Sequence, residues 1–211
     1  MNRRTWSARV LAIACVPTFA LAWAVPAQAA EEGPDALIKR VATEVLDTVK
    51  ADPTMQTGDL QKVMTLVDNK IMPNVNFERM TASAVGRFWR QATPEQQKQL
   101  QDEFKTLLVR TYSGALSQVK DQSLSFRPLR AAATDTEVVV RSEVRGRGDP
   151  VQLDYRLEKA EGGWKIYDLN VMGVWLVETY RTQFAQEIGS KGIDGLIAAL
   201  SKRNRSNAKA G

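Results

Sequence analysis

Residues 138–158 read VVVRSEVRGRGDPVQLDYRLE, and their alternation decides the fold. Val138, Val140, Ser142 and Val144 share one face, opposite Val139, Arg141 and Glu143. After the break at Gly146 to Pro150, Val151, Leu153, Tyr155 and Leu157 share a face opposite Gln152, Asp154, Arg156 and Glu158. Side chains of a strand point alternately to its two sides, so each run is a strand with one dry face. A third run, Trp164 to Val171, follows Glu161-Gly162-Gly163 and carries large residues on both faces; a fourth is expected around Leu124 to Arg130. Short Gly- and Pro-bearing breaks are hairpin connections, which makes the sheet antiparallel, with about four strands.

Upstream the period changes to that of a helix. Ile38, Val41, Val45 and Val49 form one apolar stripe; Leu60, Val63, Met64, Val67 and Ile71 form a second that stops at Pro73. One or two short helices are expected over 76–92, around Gly86. Thr93-Pro94-Glu95-Gln96 combines a capping hydroxyl, a first-turn proline and a capping-box glutamine, opening a long helix to about Lys120 with Leu100, Phe104, Leu107, Leu108 and Tyr112 on its stripe and a kink near Gly114. Two more helices close the chain, one with Leu176, Val177, Tyr180, Phe184 and Ile188, the other with Ile193, Leu196, Ile197 and Leu200. Helices set apart from a hairpin-linked sheet give an α+β domain.

The chain has 211 residues, 44% hydrophobic and 25% charged, the composition of an ordinary globular protein. It contains no histidine and one cysteine, Cys15. Imidazole bases, body cysteine nucleophiles and His/Cys zinc cages are thereby excluded. Arg3, Arg4 and Arg9, the apolar run Val10 to Val25 and Ala27-Gln28-Ala29 read as a cleaved secretory signal peptide over 1–29. Its removal leaves 26 basic against 24 acidic residues, and four of the 26 (Lys202, Arg203, Arg205 and Lys209) fall in a basic segment, 201–211, expected to be a disordered tail. The body, 30–200, is then slightly acidic and reads as a single domain with no nucleic-acid surface.

The remaining routes to catalysis are carboxylate pairs, Ser/Lys dyads and oxygen-ligand metal sites. Asp154 and Asp168, on neighbouring strands, are the candidate acids; alternation puts Asp154 on the wet face, and an Asp near a strand end ordinarily holds a turn or an arginine. No calcium-loop or phosphate-loop spacing is present. The many large apolar residues either fill a solid core or line a cavity, and periodicity alone does not separate the two.

Trp164-Lys165-Ile166-Tyr167-Asp168-Leu169, then Gly173-Val174, then Tyr180-Arg181-Thr182-Gln183-Phe184 resembles the signature of the MlaC family, the periplasmic phospholipid carriers also called toluene-tolerance auxiliary proteins. Ile71-Met72-Pro73 with Phe77, Gly86-Arg87-Phe88-Trp89-Arg90 before Thr93-Pro94-Glu95-Gln96, Phe104 with Leu107 and Leu108, and Thr111-Tyr112 resemble its helical half. Two positions depart from the family pattern: Met172 stands where an acid is usual and Trp175 where a serine is, which bears on pocket volume at the end of the sheet.

The resemblance implies a soluble, non-enzymatic shuttle in the periplasm of a Gram-negative envelope, needing no cofactor or metal. Its ligand is a diacyl phospholipid, whose tails lie in a deep apolar cavity between sheet and helices. It implies exchange with an outer-membrane lipoprotein-porin complex and with the lipid-binding domain of an inner-membrane ABC transporter, docking transiently at these membrane-bound partners and so maintaining outer-membrane lipid asymmetry. By this reading the lining is Val138, Val140, Leu153 and Tyr155 from the sheet, with Ile71, Phe104, Leu108, Tyr112, Trp175, Leu176 and Tyr180 from the helices. Arg181 is the candidate head-group contact, with a surface helix arginine as the competing reading. Ordinary core packing competes at every lining position, and two other functions compete with the whole: an interaction module with a solid core, and an envelope hydrolase using Asp154 and Asp168.

Overall fold

The computed structural model describes residues 31–56, 59–116, 119 and 121–207; the leader expected over 1–29, with Cys15, lies outside them. Helix α1 (Pro34–Ala51) begins with proline at its first position, where a missing N–H costs nothing, and buries Leu37, Ile38, Val41 and Val49. A one-turn α2 (Pro53–Gln56) leads to α3 (Leu60–Leu66), capped by Asp59, whose carboxylate accepts from the amides of Gln61 and Lys62 at 3.0 and 3.2 Å. The expected second helix continues as a π turn, Val67–Ile71, and a 3-10 turn, Met72–Asn74, that absorbs Pro73. Asn76 caps α4 (Phe77–Val85), which ends on Gly86 at φ 66° and gives way to a 3-10 turn, Gly86–Gln91. The capping box forms as the sequence predicts: the Gln96 amide donates to the Thr93 hydroxyl (3.2 Å) and the Thr93 amide to the Gln96 side chain (3.0 Å), opening α5 (Pro94–Leu116).

The sheet is an antiparallel meander, β1 (Ser123–Phe126), β2 (Glu137–Arg145), β3 (Val151–Ala160), β4 (Gly163–Val171) and β5 (Val174–Trp175), in that spatial order. Strand β1 is shorter than expected because Pro128, lacking an N–H, follows the last pairing amide, Arg127, which donates to Arg141 O at 3.0 Å. The count is five rather than four because β4 turns back on itself through Met172 (φ 53°) and Gly173 (φ 88°). Two successive positive φ values make the tight turn that matches strand twist, a role usually signalled by Asn-Gly or Asp-Gly. Methionine conceals that signal, and its left-handed backbone costs roughly 1–2 kcal/mol.

Helix α6 (Leu176–Asn207) is broken at Gly192 (φ 71°), which separates the two expected terminal helices. It runs on through Asn207, so residues 201–207 are helical where a disordered tail is expected. Buried Asn204 explains this: its amide donates to Glu103 O (2.9 Å) and Oε2 (2.6 Å), pinning the helix end to α5.

Helices α4, α5 and α6 pack around Phe104, whose ring meets Tyr180, Phe184 and Phe77 at centroid distances of 4.9, 5.2 and 5.8 Å. Helix α1 forms a second cluster with Val138, Val140, Leu157 and Ile166 on the dry face of the sheet. A third, smaller cluster joins Val49 of α1, Met55, Leu66 of α3 and Val119.

Candidate functional site

Residues directly opposite one another in an antiparallel pair point to the same face, so the register fixes the rungs of the dry face. Val138, Leu157 and Ile166 form one rung, Val140, Tyr155 and Leu169 the next, and Ser142, Leu153 and Val171 the third. The first rung lies under α1. On the second, Tyr155 packs with the α1 cluster whereas its neighbour Leu169 packs with the α4–α6 cluster. The boundary between the two apolar clusters therefore crosses β4 between Ile166 and Leu169 and separates Leu169 from its partner Tyr155 on β3. Val75, after the Pro73 turn, touches both clusters, and Val45 of α1 touches the second and the third.

Along this seam the side chains are half-buried. Leu108, Tyr112, Leu153, Tyr155, Leu169 and Val171 all keep accessible surface, unlike Leu157 and Phe104, which have none. Burial pushes the Tyr155 phenol pKa up, and its side chain is half-buried. Burial also raises the Tyr112 phenol, reinforced by nearby Tyr180. The hydroxyl of buried Ser142, the polar member of the dry face, donates to Leu153 O at 3.0 Å and leaves the surface effectively apolar. Two open clefts of about 250 and 320 Å³ lie elsewhere, between α5 and the end of α6 and between α1 and α3. Charged side chains border both, Asp102, Glu103 and Arg110 in one and Asp52, Lys62 and Lys70 in the other, where Met55 and Leu66 add apolar wall.

Of the residues singled out from sequence, the structure brings Leu108, Tyr112, Leu153 and Tyr155 to the seam. Phe104, Leu176 and Tyr180 sit within the α4–α6 cluster, and Val138 and Val140 lie beneath α1. Ile71, half-buried, ends the π turn. Trp175 does not join them. It pairs with Asn170 on the opposite face of the sheet, where the Arg156 guanidinium stacks 3.9 Å from its ring centre. Arg181 Nε donates to Ser83 O at 2.8 Å, tying α6 to the last turn of α4.

Leu169, Val171 and Val75 are the seam residues that sequence reasoning missed. A bulge explains the first two. Arg156 and Leu157 are consecutive on β3, but oppose Asp168 and Ile166 on β4, leaving Tyr167 as the extra residue. Ile166 and Leu169 thus share a face although they are three apart, which strict alternation forbids. The apparent two-sidedness of Trp164 to Val171 is the trace this leaves in the sequence.

Asp168 is structural in its geometry, whereas Asp154, expected on a wet face, is buried there with its Oδ1 left without a hydrogen bond. Asp168, almost wholly buried, accepts from Arg156 Nη1 (2.9 Å), the Leu169 amide (2.8 Å) and the Val177 amide (3.1 Å), so it fastens the first turn of α6 to the sheet. Burial pushes its pKa up against the pull of those donors. Asp154 accepts from Gln152 Nε2 at 2.7 Å and lies 4.0 Å from Arg141 Nε. Among the described residues, no group of three or more carboxylate, imidazole or thiol side chains is placed to hold a metal ion.

Known proteins resemble this chain in fold and in sequence. A solved structure of a phospholipid-binding protein from Ralstonia solanacearum, in complex with a phospholipid, superposes with a TM-score of 0.80 at 54% identity, covering 82% of this chain and 98% of that one. The intermembrane phospholipid transport system binding protein MlaC of Haemophilus influenzae is 23% identical over 177 residues, 82% of this chain and 83% of its own length. The toluene tolerance protein ttg2D of Pseudomonas putida is 25% identical over 180 residues, 82% of this chain and 84% of its own. The model of the MlaC protein family matches residues 39–202, and the chain belongs to that family.

Proposed function

We propose that this chain is a periplasmic phospholipid carrier, without enzymatic activity, that takes acyl tails into the seam between the α1 cluster and the α4–α6 cluster. The observation that carries this reading is the divided apolar interior above Tyr155 and Leu169, together with the phospholipid held by a 54% identical protein of the same fold. Two ordinary acyl chains carry about 30 methylenes, and at ~0.8 kcal/mol each their exposure to water costs roughly 24 kcal/mol. A carrier must offset nearly all of this with apolar wall. Parting two clusters that meet along a line exposes such wall without breaking either one, and the sheet supplies a rigid floor.

The partners follow from the same reading: an outer-membrane lipoprotein-porin complex at one end of the route and the lipid-binding domain of an inner-membrane ABC transporter at the other, with lipid asymmetry of the outer membrane as the result. Export by a cleaved leader over 1–29 places the protein between them. Solvent extraction of the exported protein, purified natively from a Gram-negative host, should yield stoichiometric phospholipid; folded protein that emerges free of lipid would refute the reading. Filling the seam with Leu108→Trp and Leu153→Trp should reduce the extracted lipid far below stoichiometry while the fold survives.

A further inference from the structure

The large apolar side chains most exposed among the described residues are Met172 at 70% and Val174 at 52%. They flank Gly173 in the turn between β4 and β5, and Met172 is also the one described residue other than glycine with a positive φ, 53°. An apolar side chain held outward on a strained backbone is doubly unfavourable for folding alone, and such combinations accumulate where a protein touches something else. Their place in the fold is specific. Val174 pairs with Val171 and Val171 with Leu153, so the turn stands at the end of the seam away from the rung that α1 covers. The Met172 amide donates to Gln152 O at 3.0 Å, fixing the turn beside the start of β3. The adjoining connection from β2 to β3 carries Arg145 and Arg147, whose side chains are 57% and 92% exposed. The Arg147 pair with Asp121 at 3.1 Å is solvent-exposed and weak enough to exchange for phosphate oxygens, whereas Arg145 pairs at 3.0 Å with Glu143, whose side chain is only 16% exposed. Asp149 is the one acid of that connection.

We propose that the Met172–Val174 turn, with Arg145 and Arg147 at the same end of the sheet, is a membrane-contact knuckle that sets the mouth of the seam against a bilayer bearing anionic phospholipid. Two apolar side chains on a tight turn suit shallow insertion at head-group depth and are too few for the core of a stable protein interface. Guanidiniums at that end suit the phosphates that surround them there. The inference rests on the carrier reading for its purpose, although the contact itself is measurable without it.

The test is sedimentation of the exported protein with vesicles of phosphatidylethanolamine mixed with phosphatidylglycerol, compared with phosphatidylcholine vesicles, for wild type, Met172→Ser/Val174→Ser and Arg145→Ser/Arg147→Ser. Bound lipid is extracted from the same preparations. Wild type should associate with the anionic vesicles, the apolar double variant should bind roughly tenfold more weakly to both compositions, and the arginine double variant should lose only the preference for anionic vesicles, a preference that added salt also removes. Wild type that binds no better than Met172→Ser/Val174→Ser overturns the proposal. If its lipid content is nonetheless stoichiometric, the carrier reading stands while the knuckle falls; vesicle binding by a protein that never holds lipid has the converse meaning. Unchanged vesicle binding with lost transfer in a reconstituted membrane-protein system would assign the turn to a protein partner, and this too overturns it.

Discussion

Phe104→Ala separates packed core from ligand wall at a position where sequence alone leaves both open. Phe104 has no accessible surface and lies at the centre of three ring contacts, the nearest two edge-on at 4.9 and 5.2 Å. Truncating such a ring removes its transfer free energy and leaves a cavity between α4, α5 and α6 that rigid helices cannot close, a loss of about 3–5 kcal/mol. Edge-on aromatic pairs place the effect toward the upper end of that range. For a domain of this size the melting temperature should fall by roughly 8–16 °C. Urea unfolding of delipidated protein is the assay, since bound lipid would add its own linkage term to the native state. The midpoint should move strongly at constant m-value. A loss below about 1 kcal/mol would show that the ring faces space rather than neighbours, and the division into cluster and seam would be wrong.

Three further outcomes follow from single positions. Gly86 has φ 66° and ψ −137°, a conformation nearly closed to other residues, so Gly86→Ala should destabilise by about 1–3 kcal/mol in the same urea assay although a Cβ there meets no atom within 4 Å. Met172→Asn should raise stability by roughly 1 kcal/mol by placing a residue suited to positive φ in the turn, while weakening vesicle association; unchanged or lower stability would remove strain from the account of that turn. The Asp52 carboxylate is held at a pKa of about 2, against 3.8 ordinarily, by hydrogen bonds from the Thr54 side chain, Lys62 and the Thr54 amide. A lowered folded-state pKa means that the unfolded chain binds more protons, so this stabilisation is complete above about pH 4 and lost as pH falls toward 2. Asp52→Asn should therefore flatten the acid limb of a stability-against-pH curve in that window; an unaltered slope would refute the assignment.

Local rules with a chemical signature were legible in the sequence. Thr93 and Gln96 form the capping box, the two terminal apolar stripes are two helical segments, and the alternation of 138–158 gives the strands β2 and β3 and their dry face. What escaped was set by tertiary geometry or by a residue of the wrong type at a turn. Methionine at 172 hid a hairpin, and with it the short strand β5. That hairpin turns Trp175 away from the dry face, where a helix-start reading had placed it inward. The Tyr167 bulge hid Leu169 and Val171 by shifting parity within β4. The division of the apolar interior depends on where α1 crosses the sheet, and helical periodicity shows which face of α1 is buried without showing which rung lies beneath it. Asn204 shows the converse: one buried amide bonded to Glu103 keeps a basic, tail-like segment helical.

The central claim is a location for the tails, and a crystal structure of the protein loaded with phospholipid brominated along both acyl chains tests it most directly, because bromine scatters anomalously. The peaks should lie between Leu153, Tyr155, Leu169 and Val171 on the sheet side and Leu108 and Tyr112 on the helix side. Bromine peaks on the outer face of the sheet near Trp175, in either open cleft, or nowhere in the interior would contradict the account.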